Sequence, residues 1–112
     1  MLPRYGARPV EQFGTVLLDT KHRVLKTAIL SVGTRDASLV HPREAFREAA
    51  GGGAAAVVLF HNHHSGDSTP SAEDLMLTAR LVEAGRVMGI DVVDHLVLAD
   101  ARYCSFKEMG RL

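Results

Sequence analysis

Apolar and polar positions change rhythm several times along the 112-residue chain, and each rhythm predicts an element. "QFGTVLLDTKHRVLKTAILSVG" holds two β-rich runs, 13–19 and 23–32, on either side of the polar "TKH", which predicts an antiparallel hairpin. After "GTRDASLV", the segment "HPREAFREAAGGG" puts Pro42 at a first helical position and Ala45, Phe46, Ala49 and Ala50 at helical spacing, then stops at glycines. The run "AAAVVLF", 54–60, is short, apolar and bounded by glycines and histidines, as a buried central strand should be. From Ser71, the residues Leu75, Leu77, Leu81, Val82, Ala84 and Met88 recur with helical period to about Gly89, predicting a second helix that covers the sheet. "IDVVDHLVLAD" and "RYCSF" return to strand character. The order strand, strand, helix, strand, helix, strand, strand predicts an α/β fold, a mixed β-sheet flanked by helices. Residues 1–10, with two prolines, read as a loose lead-in, and 11–112 as a single domain.

Composition narrows the function classes. Thirteen basic residues balance thirteen acidic ones and 46% of the chain is apolar, which fits an ordinary globular domain. A neutral chain does not steer itself toward phosphate, so nucleic acid is not supported by charge unless Arg43, Arg47, Arg80, Arg86 and Arg102 cluster locally. The N-terminus lacks an apolar stretch of signal-peptide length, and the longest apolar run, 54–60, falls far short of the roughly 20 residues of a spanning helix. No membrane segment is expected. Cys104 is the only cysteine, so an internal disulfide and a four-thiolate zinc site are both excluded, and the cytoplasm is the expected compartment. On an apolar strand without a basic neighbour, that thiol reads as core.

The chemistry concentrates in "HNHHSGDSTPSAED", 61–74, behind the central strand. If the strand geometry continues, His61 and His63 fall on one side of the chain and Asn62 on the other. Ser71, after Pro70, can open the next helix with Asp74 in its first turn. Two readings then fit. Two imidazoles and a carboxylate, with water in a fourth position, form the ligand set of an open catalytic zinc site. Equally, Ser71-x-x-Asp74 is a capping box and "SGDSTP" is turn composition, which need no metal.

The spacing His61-x-His63, seven residues, Ser71, two residues, Asp74 resembles the signature of the JAMM (MPN-type) metalloproteases. "VLLDTKHRVLK", "LSVGT", "HPREAF", "DHLVLAD" and "RYCSF" place the chain beside the RadC branch over nearly its whole length. The resemblance implies an MPN/JAB-like fold with cytidine-deaminase-like layering, Zn2+ held by His61, His63 and Asp74, and Ser71 supporting the attacking water or the oxyanion. It also implies hydrolysis of a peptide or isopeptide bond in a peptide or protein substrate, with a glutamate on an earlier strand as general base. That family usually carries an upstream helical region as well, so the resemblance is to its catalytic-type domain.

Two positions depart from the family pattern. The general-base position falls on Ala28 in "KTAILSVGT", and a methyl group accepts no proton, so a rate loss of roughly 10²–10⁴ is expected while metal binding survives. Glu44, the nearest carboxylate in sequence, reads as a partner of its helix dipole. His64 stands where the branch usually has proline and reads as an exposed loop residue. Asp94 and His95 are candidates either for a shell that orients a ligand imidazole or for a buried structural pair. The adjacent "HNH" does not match the nuclease of that name, whose motif letters lie far apart. With Asn62 and one cysteine, the zinc-deaminase pattern is excluded too. Three functions compete: a zinc peptidase-type domain weak or inactive as written, a non-catalytic interaction or scaffold module of the same fold, and a DNA-repair role suggested only by the RadC name. Substrate and oligomeric state are open at this stage.

Overall fold

A computed structural model describes residues 12–32, 40–62, 68–99 and 101–112. The chain runs β1 (Gln12–Leu18), β2 (Val24–Val32), α1 (Pro42–Gly51), β3 (Ala56–Asn62), α2 (Ala72–Met88), β4 (Asp91–Ala99) and β5 (Arg102–Ser105). Five strands form one mixed sheet in the order β2-β1-β3-β4-β5. The expected hairpin is β1 against β2. Its turn is organised by Asp19, whose carboxylate accepts from the amides of Lys21 at 2.8 Å and Arg23 at 2.9 Å. Strands β3 and β4 are parallel, while the other neighbours are antiparallel. A parallel pair needs a crossover, and α2 supplies it.

Strand alternation sorts the sheet into two faces. Register pairs Phe13 with His61, Thr15 with Leu59 and Leu17 with Val57, so these six point the same way. The same face receives Ala45, Phe46 and Ala49 of α1 and Leu77 and Leu81 of α2, forming the main core. The opposite face carries a smaller cluster of Val16, Leu18, Ala56 and Phe60. Gly14 lets the sheet close up, because a Cβ there would stand 2.5 Å from the Phe60 ring and 2.7 Å from the Ala28 carbonyl oxygen. At Gly85, α2 passes directly against the Ile90 carbonyl and the Phe46 ring.

Helix ends follow their residue chemistry. Pro42 opens α1, and the N-cap is His41, whose Nδ1 accepts from the Arg43 amide at 3.1 Å. Glu44 lies in the first turn of that helix, as the dipole reading requires. Ser71 is the N-cap of α2, and Gly89 ends it in the left-handed region at φ 75°. Strand β3 differs from its expected bounds at both ends. Ala54 and Ala55 donate to the carbonyls of Ala49 and Leu18 in the turn that enters the strand. At the far end, His61 and Asn62 keep pairing with β4. No helix among the described residues is long and apolar enough to cross a membrane.

Candidate metal centre

His61 lies within β3 rather than beyond it, on the face that receives both helices. It is 5% exposed and sits between Phe13, at 5.8 Å between ring centroids, and His95, at 6.2 Å. Asn62, the next residue, is buried too, and its Oδ1 accepts from the Gln12 amide at 2.6 Å. Alternation thus gives the two neighbours different tasks: Asn62 fastens the start of β1, and His61 faces the helices.

The start of α2 delivers the carboxylate. Ser71 Oγ accepts from the Asp74 amide at 3.1 Å, and Asp74 Oδ2 accepts from the Ser71 amide at 2.8 Å, which completes a capping box. The other oxygen, Oδ1, lies 3.3 Å from His61 Nδ1, with the Asp74 side chain only 1% exposed. The capping reading is therefore realised through Oδ2, while Oδ1 of the same carboxylate faces the His61 imidazole.

The donor set can be tested against zinc. Two ligands of a tetrahedral zinc with bonds of about 2.0–2.2 Å stand roughly 3.3–3.5 Å apart, and an imidazole nitrogen with a carboxylate oxygen is a pair that zinc takes. The His61–Asp74 separation of 3.3 Å fits this. Among the described residues, no three His, Cys, Asp or Glu side chains gather around one point. His63, the third expected ligand, lies outside the described residues, as does His64.

Ala28 is buried at 8% exposure on the same sheet face. It pairs with Thr15 across β1–β2, Thr15 pairs with Leu59, and Leu59 pairs with His95, so a single cross-strand row runs from Ala28 to His95. His61 lies two residues along β3 from that row. Two strand spacings of about 4.8 Å and two rises of about 3.3 Å put Ala28 roughly 12 Å from His61 between Cα atoms, a gap that two long side chains on one face can narrow. Glu44 lines a 290 Å³ cavity with Ile29, Leu30, Arg47 and Glu48.

Asp94 turns toward the residues at and after the end of β5, whereas the His95 ring lies 6.2 Å from the His61 ring. The Asp94 carboxylate ties β4 to the end of β5 and the segment that follows it. It accepts from the His95 amide at 2.7 Å, Ser105 Oγ at 2.6 Å and the Lys107 amide at 3.0 Å. His95 is fully buried and stacks on Phe106 at 4.5 Å and 19°. Its Nδ1 meets Thr78 Oγ1 at 2.5 Å, and that hydroxyl lies 2.8 Å from the Asp74 carbonyl oxygen. Thr78 is absent from the sequence expectations. Its position four residues after Asp74 could have pointed to the bond with the Asp74 carbonyl, but not to His95.

Cys104 is half-buried on β5, with Sγ 3.2 Å from Met109 Sδ. Burial, then the charges of Glu108 and Asp94, pushes its thiol above the ordinary value, opposite to an activated thiolate.

Comparison with known proteins adds lineage to this geometry. Residues 1–111 match the family described as "RadC-like JAB domain". A UPF0758 protein of Methanosarcina acetivorans is 47% identical over 110 residues, covering 98% of this chain and 48% of that protein. One from Symbiobacterium thermophilum is 52% identical over 112 residues, 100% of this chain and 48% of the relative. One from Moorella thermoacetica is 53% identical over 102 residues, 91% of this chain and 44% of the relative. The chain spans about half the length of the curated relatives it matches.

Proposed function

The chain belongs to the RadC-like JAB domain family, and from that premise we propose that it is a zinc-binding, JAMM-type peptidase-like domain whose catalytic step is disabled at position 28. The observation that carries the reading is the approach of His61 Nδ1 to Asp74 Oδ1 at 3.3 Å in a buried setting on one end of the central strand. His61, His63 and Asp74 would hold the ion. When bound, zinc supplies Lewis acidity and a water acidified into the neutral range. The chain's own residues do the rest. The buried imidazole and carboxylate would keep solvent from one side of a bound ion, and the capping box fixes Asp74 with Oδ1 toward His61. Ser71, exposed at the same turn, would donate its hydroxyl to an oxygen on a bound carbonyl. The fitting substrate is a peptide or protein carrying an amide or isopeptide bond. A single cysteine, which can form no internal disulfide, suits a reducing compartment such as the cytoplasm.

Proton removal is the missing part, because the methyl of Ala28 accepts nothing. The same methyl favours the second reading, a non-catalytic interaction or scaffold module of this fold, with metal retained for structure or absent. Metal analysis separates the two claims inside the proposal. About one zinc per chain, lost in the double variant His61→Ala with His63→Ala, is expected from the ligand set. Ala28→Glu should then yield peptidase activity that a chelator abolishes. A well-folded protein that takes up no zinc removes the metal assignment. A zinc-loaded A28E protein inert on a broad panel of peptides and isopeptides leaves only the interaction module.

A further inference from the structure

We propose that Thr78 and His95 are the positioning pair for Asp74, and that His95 is held with its proton on Nδ1. A hydroxyl has one proton to give. Thr78 Oγ1 lies 2.8 Å from the Asp74 carbonyl oxygen, which can only accept, so the proton goes there. The oxygen of Thr78 then offers lone pairs alone to His95 Nδ1 at 2.5 Å. For that contact to be a hydrogen bond, Nδ1 must carry hydrogen and donate it. In the neutral ring, Nε2 is then an acceptor.

The link is directional, and its far end is anchored. His95 stacks on Phe106, meets the edge of Phe13 at 5.6 Å and 71°, and accepts from the Phe106 amide at its own carbonyl at 3.0 Å. Asp94 fixes the segment that carries Phe106 by accepting from Ser105 Oγ and the Lys107 amide. The imidazole therefore stands as a post on β4, and Thr78 ties the first turn of α2 to it. Apolar contacts along α2 tolerate small slides, whereas a hydrogen bond weakens steeply with misalignment. What the tie sets is the height of Asp74 over the end of β3, and with it the approach of Oδ1 to His61. A threonine that only bonded back to the carbonyl four residues earlier would fill a routine helix role. The bond donated from another strand is what gives Thr78 its positioning function.

Two arms of the test need no metal, and only the third rests on the zinc reading. In metal-free, 15N-labelled protein at about pH 8, above the ordinary imidazole range, long-range 1H–15N spectra should show a protonated Nδ1 and a bare Nε2 for His95. Thr78→Val keeps the shape and removes the hydroxyl. It should change the His95 tautomer and move the His61 ring resonances, and Thr78→Ser should restore both. Zinc affinity measured by competition should fall about 10–100-fold in T78V, the usual cost of losing an outer partner, and return to within about threefold in T78S. A wild-type His95 protonated on Nε2 overturns the proposal. So does a folded T78V whose His61 resonances match wild type. If T78V does not fold, the wild-type tautomer and the T78S spectra decide. A wild type that binds no zinc defeats the proposed function, while the two spectral arms still decide this inference.

Discussion

Ser71 permits a separation of architecture from chemistry that few site residues allow. Its side chain makes one cap bond, from the Asp74 amide at 3.1 Å, while the reciprocal bond runs from its own backbone to Asp74 Oδ2 and survives substitution. Ser71→Ala should therefore remove one part-buried cap bond from the folded domain, a loss of about 1 kcal/mol. For a domain of this length that is a fall in Tm of roughly 4 °C. Asparagine caps about as well as serine, so Ser71→Asn should return the stability to within about 0.5 kcal/mol of wild type. It also removes the hydroxyl that the proposed function assigns to a bound carbonyl. Urea titrations followed by circular dichroism, at constant m value, read both variants on one scale. In the A28E background, S71N should be as stable as its parent and slower. If S71A left the midpoint unmoved, or S71N fell as far as S71A, the side chain would not be capping α2 in solution and the geometry drawn for Asp74 would be wrong.

Two further expectations concern the scaffold. Gly85→Ala drives a methyl into the Ile90 carbonyl and the Phe46 ring, so overpacking should cost about 1–3 kcal/mol by urea denaturation; a neutral or stabilising result would mean that α2 does not pass that close. Asp19 is held below the ordinary carboxylate value of 3.8 chiefly by the Arg23 amide, with the Arg23 guanidinium, the Lys21 amide and the His22 charge adding to it against burial. A depressed folded pKa stabilises above the ordinary value and loses that contribution as pH falls through the lowered one. Asp19→Asn should accordingly be less stable than wild type at neutral pH, with the gap closing below pH 3.8, and a gap that stayed constant down to acid pH would refute the turn assignment.

The parts legible in the sequence were those governed by local period and local caps. The β-rich composition of β1 and β2 around the polar "TKH", the apolar run of β3, and the serine-to-aspartate spacing at α2 each act within a few residues, and each predicted its element. The bounds of β3 moved because its ends are decided elsewhere. Ala54 and Ala55 are drawn into hydrogen bonds with α1 and β1, and Asn62 is retained by the Gln12 amide fifty positions away. His95 was recognised as a buried polar candidate, but its partner was not. Thr78 is seventeen residues distant on another element, and no local pattern announces a contact across a crossover. Glu44 was read from the helix dipole alone and sits where that reading puts it, although the cap itself is His41.

The carboxylate of Asp74 has two employers. One oxygen closes the amino end of α2 and the other turns toward the imidazole, so a lineage that abandoned hydrolysis would still need the residue to start its longest helix. Position 28 answers to no such second obligation. A methyl fits its row of the sheet with no hydrogen bond forfeited. Loss of chemistry in this architecture should thus erode first at the proton acceptor and last at the helix start, leaving domains that look equipped while lacking the part that moves the proton.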